Sequence, residues 1–149
     1  MTQEDKQLLL VDLSARLPYG VKAQVIGWDE EKGEIEIPLR IYSINTDGYV
    51  YFETNDYDVN YLAVDACLLY LRPMSSMTEE ESAELSNIIS EWFDKELFDL
   101  IEEPFLEYAL SKINYSISPQ LFDWLNAHHF DYRGLIPKGS AIEAPNDMY

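Results

Sequence analysis

The clearest pattern in the chain runs from Glu34 to Ile41. Ile35, Ile37, Leu39 and Ile41 fall on one side of an extended segment, and Glu34, Glu36, Pro38 and Arg40 on the other. A period of two predicts a half-buried β-strand. Pro38 cannot donate to a ladder, which places that position at an edge or a bulge. Val21, Ala23 and Val25 alternate with Lys22 and Gln24 in the same way, and the polar run Asp29-Glu-Glu-Lys-Gly33 turns one strand into the next. Asn45-Thr-Asp-Gly48 has hairpin-turn chemistry, Tyr49 to Thr54 returns as a strand, and Val59 to Val64 supplies another. Four or five short strands joined by tight turns predict a small, strongly curved antiparallel sheet or barrel over residues 21–73.

The flanking segments carry helical signals. Over residues 2–17, Thr2 can cap a helix, Glu4 and Asp5 suit its positive end, and Leu9, Leu13 and Leu17 recur every fourth residue. Pro18-Tyr19-Gly20 stops it. Residues 78–130 read as mainly helical. Thr78 and Glu81 form a capping box, with Glu79 and Glu80 at the favourable end. Leu85, Ile88, Ile89, Trp92 and Phe93 make an apolar stripe. The stripe loses register after Asp94, predicting a bend or a second short helix through Leu97, Phe98 and Ile101, with Pro104 as an interruption. Ser118-Pro119 starts a last helix that ends near His129. Residues 131–149 read as a turn and tail. The expected architecture is a single α+β domain over 1–149, with an N-terminal helix, a β-unit and a C-terminal helical part.

Charge narrows the possible partners. The formal net charge is −18, and residues 78–107 hold eleven acids and one base. Such a surface repels phosphate backbones, so direct nucleic-acid binding is not expected. A solvated helix face accounts for the acids, and a nucleic-acid-mimicking decoy is the functional alternative. The one cysteine, Cys67, cannot form an intrachain disulfide, and its apolar neighbours suggest a buried thiol. No stretch approaches the roughly 18 apolar residues that cross a bilayer, and no targeting signal is visible. The expectation is a cytoplasmic protein with no membrane partner.

Candidate chemistry is concentrated between Leu121 and Gly134, where His128, His129, Asp131 and Arg133 stand among Phe122, Trp124, Phe130 and Tyr132. One histidine could act as a base steered by Asp131 and assisted by Arg133, because histidine titrates near neutral pH. Adjacent helical residues point ~100° apart, a poor arrangement for chelating one metal. The structural reading is that the histidines cap the helix, with Asp131 and Arg133 fixing the next turn and the aromatics anchoring the last helix to the sheet. Asp56-Tyr-Asp-Val-Asn60 resembles the start of a calcium loop but continues with Tyr61 and Cys67 where glycine and glutamate are needed. There is no phosphate loop and no G-x-S-x-G elbow, so neither a cofactor nor a metal is expected.

Three further stretches bear a resemblance. They are Leu71-Arg-Pro-Met-Ser-Ser-Met-Thr-Glu-Glu-Glu81, Phe122-Asp-Trp-Leu-Asn-Ala-His-His-Phe-Asp-Tyr-Arg-Gly-Leu-Ile136, and Ala141-Ile-Glu-Ala-Pro145 with Met148-Tyr149. Together with Leu17-Pro-Tyr-Gly-Val-Lys22 and Gly27-Trp28, they resemble an uncharacterised family of short acidic proteins from gut anaerobes and their phages or prophages. The resemblance implies a mobile-element setting and assigns no activity. The favoured functional expectation is a non-enzymatic module that binds another protein. The alternatives are a hydrolase-type enzyme centred on His128, His129, Asp131 and Arg133, and the charge decoy.

Overall fold

The computed structural model describes residues 1–91 and 118–149. The alternating segments form β1 (Lys22–Asp29), β2 (Gly33–Ile44), β3 (Tyr49–Phe52), β4 (Tyr61–Ala63) and β5 (Leu68–Leu71). A sixth strand, β6 (Ala141–Glu143), completes one sheet in the order β4-β3-β2-β1-β5-β6, curled into a half-barrel. Helix α1 (Gln3–Arg16) precedes it, and α2 (Glu79–Ser90) and α3 (Pro119–Ala127) follow β5. The fold is α+β with a small curved sheet, as the patterning predicts. β6 corrects the expectation of a tail after residue 131. It pairs in parallel with β5, from Leu69↔Ala141 to Leu71↔Glu143, while every other strand pair is antiparallel.

Local chemistry explains the register. β1 and β2 pair along eight rungs, from Lys22↔Arg40 to Asp29↔Gly33. Asp29 Oδ1 accepts from the Glu31 and Lys32 N–H groups and closes the turn between them. Asn45 Oδ1 does the same for Asp47 and Tyr49 at the next hairpin. Pro38 lies on an inner strand, but β3 joins β2 only from Ile41 onward, so its missing N–H removes no bond from the sheet. The β2–β3 ladder then shifts by one residue between Ile41 and Ser43, a bulge that places Tyr42 on the outer face. Gly27 meets a packing limit, since a Cβ there would lie 2.9 Å from Ile37 Cδ1.

The concave side holds the main core. Ala23, Val25, Ile37, Ile41, Val50, Phe52, Leu69 and Leu71 line it, and Leu9 and Leu13 of α1 close it. Cys67 is buried here, and burial, with Asp65 nearby, pushes its thiol up to about 11. A second cluster lies outside the sheet, where Leu85 and Ile89 of α2 meet Leu121 and Leu125 of α3 and Phe130. The α2 stripe is therefore buried through Leu85 and Ile89, with Ile88 packed beside them. Its continuation at Trp92 and Phe93, the second helix expected near Ile101 and most of the acidic 78–107 segment lie outside the described residues. The expected Thr78–Glu81 capping box forms, and Thr2, expected as an N-cap, closes a further box with Asp5.

α1 also buries charge. Asp12 and Arg16, one turn apart, are both fully buried, with Arg16 Nε 2.7 Å from Asp12 Oδ2 and a second bond of 3.0 Å from the guanidinium to Oδ1. The guanidinium also donates to the Phe130 carbonyl at 2.7 Å, which fastens α1 to the segment after α3. Breaking a buried pair strands a charge in low dielectric. Asp12→Ala should lower the unfolding free energy by ~3–5 kcal/mol in denaturant titration. Glu53→Ala, which removes the half-exposed Arg40–Glu53 pair at 3.2 Å, should cost under ~1 kcal/mol in the same assay.

Candidate functional site

The motif after α3 is organised by how the helix ends. His128 is the C-cap, and His129 follows with φ 58°, in the left-handed region. The His129 N–H donates to Asn126 O at 3.1 Å and the Phe130 N–H to Leu125 O at 3.0 Å. This pair of reversed bonds is the Schellman termination, whose left-handed position glycine usually fills. Histidine there carries a backbone penalty of ~1–2 kcal/mol, so its ring must recover that energy elsewhere.

It does so in the interior. The His129 ring is buried, its Nε2 lies 3.1 Å from the Tyr19 carbonyl oxygen, and it stacks on Tyr149 with centroids 3.7 Å apart. A carbonyl only accepts, so Nε2 carries the proton and Nδ1 is a bare acceptor; no partner bonds to it. Burial first, and the positive charge of Arg16 second, push the imidazole down to about 4. His129 is therefore neutral at pH 7. The ring of His128 turns the other way, with Nδ1 2.9 Å from Trp124 O and its face on the Trp124 indole at 4.1 Å.

Asp131 and Arg133 serve the turn and the helix pair. Asp131 accepts from the Leu135 and Ile136 N–H groups at 2.8 Å each, which uses both its oxygens. Arg133 Nε sits 3.1 Å from Asp12 Oδ1 and 3.2 Å from Tyr132 Oη. The four candidates thus lie close in sequence but face separate neighbours among the described residues. Arg133 lines a cleft of about 650 Å3 between α1 and α3, with Val11, Ala15, Tyr19 and Phe122. The aromatics differ from expectation in one respect. Phe122, Trp124, Phe130 and Tyr132 belong to the cluster shared with α2, and Trp124 Nε1 donates to Glu84 at 3.1 Å. The link to the sheet is made by backbone instead: the Arg72 N–H donates to His129 O, and the Asp131 N–H donates to Arg72 O, each at 2.8 Å.

Two residues that sequence reasoning left aside complete the arrangement. The Arg72 guanidinium grips Glu81 with two bonds of 2.7 and 2.8 Å and lies 4.3 Å from the centre of the Phe130 ring. This grip holds the Glu81 carboxyl down to about 2. Tyr149 inserts its hydroxyl between β1 and β5, accepting from the Lys22 N–H at 3.0 Å and donating to Tyr70 O at 2.9 Å. It stands in for the rung that would follow Ala23↔Leu69. Burial raises its phenol to about 12. Arg72, Glu81 and Tyr149 line a second cleft, of about 400 Å3. Among the described residues no three His, Cys, Asp or Glu side chains are grouped to hold a metal. The Asp56–Asn60 loop is shaped by Asn55, which accepts from the Tyr57 and Val59 N–H groups. The chain matches no protein-family model, no curated protein and no solved structure.

These contacts predict a pH dependence. The folded His129 titrates below the ordinary histidine value, so acid favours the unfolded state, which takes up the proton first. Stability should be full above pH ~6.5 and decline between pH ~6.5 and ~4, by roughly 2–3 kcal/mol in all from this group. His129→Asn, which tolerates the left-handed backbone, should flatten that slope in denaturant titrations across pH. Tyr149→Phe removes a hydroxyl bonded on both sides and should cost ~1–3 kcal/mol.

Proposed function

We propose that this chain is a non-enzymatic protein-interaction module of mobile-element origin, working in the cytoplasm, and that the outer face of its sheet is the binding surface. The observation that carries the reading is an exposed aromatic face. Strand alternation places Ile26 and Trp28 of β1, Tyr42 of β2, Tyr49 and Tyr51 of β3 and Tyr61 of β4 on the convex side. Tyr51 lies between Tyr42 and Tyr61, with ring centroids 6.4 and 5.8 Å away, and Tyr49 meets Tyr61 at 5.8 Å. Large amphipathic rings held rigidly at a surface are the side chains that dominate protein interfaces.

Two features of the rest of the molecule support it. The His128, His129, Asp131 and Arg133 side chains are each engaged in holding the fold, and they face separate neighbours among the described residues. The acids that ring the sheet suit a basic partner and repel phosphate backbones. Among the described residues no helix is long and apolar enough to cross a membrane.

The test is a surface variant. Trp28→Ala with Tyr61→Ala removes two exposed rings, of which Trp28 is 72% exposed. The melting curve should stay within ~0.5 kcal/mol of the parent. Affinity purification from the native host should recover a partner with the parent chain and lose it with the variant. A partner retained equally by both chains would move the binding surface elsewhere.

A further inference from the structure

Part of the β1 backbone has no strand beside it among the described residues. β1 has eight residues and β5 has four. Every residue of β1 faces β2, but β5 meets β1 only at Ala23↔Leu69 and Gln24↔Leu68. Antiparallel rungs alternate between pairs that exchange both backbone bonds and pairs that exchange none. The Ile41 N–H donates to Val21 O at 3.0 Å, which fixes the phase. Residues 23, 25, 27 and 29 therefore bond to β2, and residues 22, 24, 26 and 28 turn their peptide groups the other way. Lys22 agrees, since its N–H reaches Tyr149 on the β5 side. Gln24 stands opposite Leu68. Among the described residues Ile26 and Trp28 have no strand on the β5 side, because the chain before β5 folds into the 3-10 turn Val64–Ala66.

The result is a β edge two residues deep. It offers two N–H and two C=O groups in strand geometry, spaced about 6.8 Å apart. The side chains there are open to solvent, Ile26 at 55% and Trp28 at 72%, the latter more exposed than any other large apolar side chain among the described residues. A groove of about 400 Å3 runs beside the edge, walled by Val25, Ile26, Val59, Leu62, Ala66 and Leu68. The usual guards of an edge are proline, lysine and a bulge. The proline, Pro38, and the bulge at Tyr42 lie on β2, and the lysine of β1, Lys22, sits at the far end of the strand against Tyr149 and Met148.

We infer that this edge is a docking strand, on which an extended basic segment of a partner protein adds to Ile26–Trp28 in the line that β5 abandons. The inference rests on the reading of the chain as an interaction module and names the partner's chemistry. Hydrogen bonding selects the conformation, because unpaired strand groups are satisfied by another backbone in extended form. Charge selects the partner. Glu36 and Glu34 stand directly across from Ile26 and Trp28, and Asp29, Glu30 and Glu31 form the adjoining turn. Between Val21 and Ala66 there are ten acids and three bases. Of the bases, Arg40 is paired with Glu53 and Lys22 reaches Met148 O. A second copy of the chain would bring a net −18 and the same row of carboxylates to the edge, so repulsion opposes self-pairing.

The experiment uses the whole chain and two synthetic peptides of about ten residues, one alternating valine with lysine and one alternating valine with glutamate. Binding is followed by titration calorimetry, and edge occupancy by amide hydrogen exchange. The lysine peptide should bind, more weakly as salt rises. It should slow exchange at the Ile26 and Trp28 amides at least about tenfold while leaving Gly27, already bonded to β2, unchanged. N-methylation of alternate peptide amides should weaken binding by about tenfold. Four results would overturn the assignment: no binding near ~1 mM, binding that leaves both amides unprotected, equal binding of the glutamate peptide, or protection of both amides with rising protein concentration and no peptide. The last would mark a second copy as the occupant. If the edge fails while the Trp28/Tyr61 surface variant still loses its host partner, the interaction-module reading stands and only the mode of docking falls.

Discussion

A guanidinium without access to water governs how this molecule is assembled. Arg16 is fully buried, so its charge needs a carboxylate and its donors need acceptors. Asp12 supplies the first from the same helix, and the Phe130 carbonyl supplies the second from the far end of the chain. Bonding its Nε and Nη2 in this way fixes α1 against the turn after α3, while the buried Nη1 has no hydrogen-bond partner among the described residues. The same turn binds Tyr19 through His129 and Arg72 through its backbone. The sheet core and the α2–α3 cluster are separate apolar units, and this polar junction is where they meet.

The histidines take their meaning from that junction. A left-handed residue at a helix end is an easy place for glycine and an awkward one for histidine. The structure offsets the strain with a buried hydrogen bond and a stacked tyrosine. Burial beside Arg16 keeps the ring neutral, against the pull of the Tyr19 carbonyl, which favours the protonated form. A base poised for catalysis needs a reachable proton and a place for substrate. His129 keeps its open nitrogen, Nδ1, buried, and His128 has Nδ1 at the Trp124 carbonyl and its ring folded onto the indole.

Much of the fold was legible because its signals are local. Alternation in residues 34–41, the Asp29–Gly33 and Asn45–Gly48 turns, the Thr2 cap and the Thr78–Glu81 capping box depend on neighbours a few residues away. Their geometry follows from side-chain chemistry at fixed offsets. β6 was not legible, since three residues near Ala141 pair with β5 only after the sheet exists. Asp12 and Arg16 have the spacing of an ordinary exposed helix pair, and nothing local shows that the pair is buried. The candidate site was legible as a cluster of residue types. Its arrangement was not, because a positive φ at His129 and the hydroxyl of Tyr149 between two strands are set by partners 79–127 residues away.

Those separations have a kinetic side. The bonds that hold α1 in place span 114 residues between Arg16 and Phe130 and 110 between Tyr19 and His129, and Tyr149 closes on Lys22 across 127. Folding rates fall as the mean loop that must close grows longer. On the ribosome, β1, β2 and β3 can pair with one another as soon as they emerge. The junction around Arg16 has only the local partner Asp12 until α3 and the turn after it are made. α1 is made before the sheet yet is among the last elements to be locked, and its Asp12–Arg16 pair gains the Phe130 carbonyl only after the segment beyond α3 has been made.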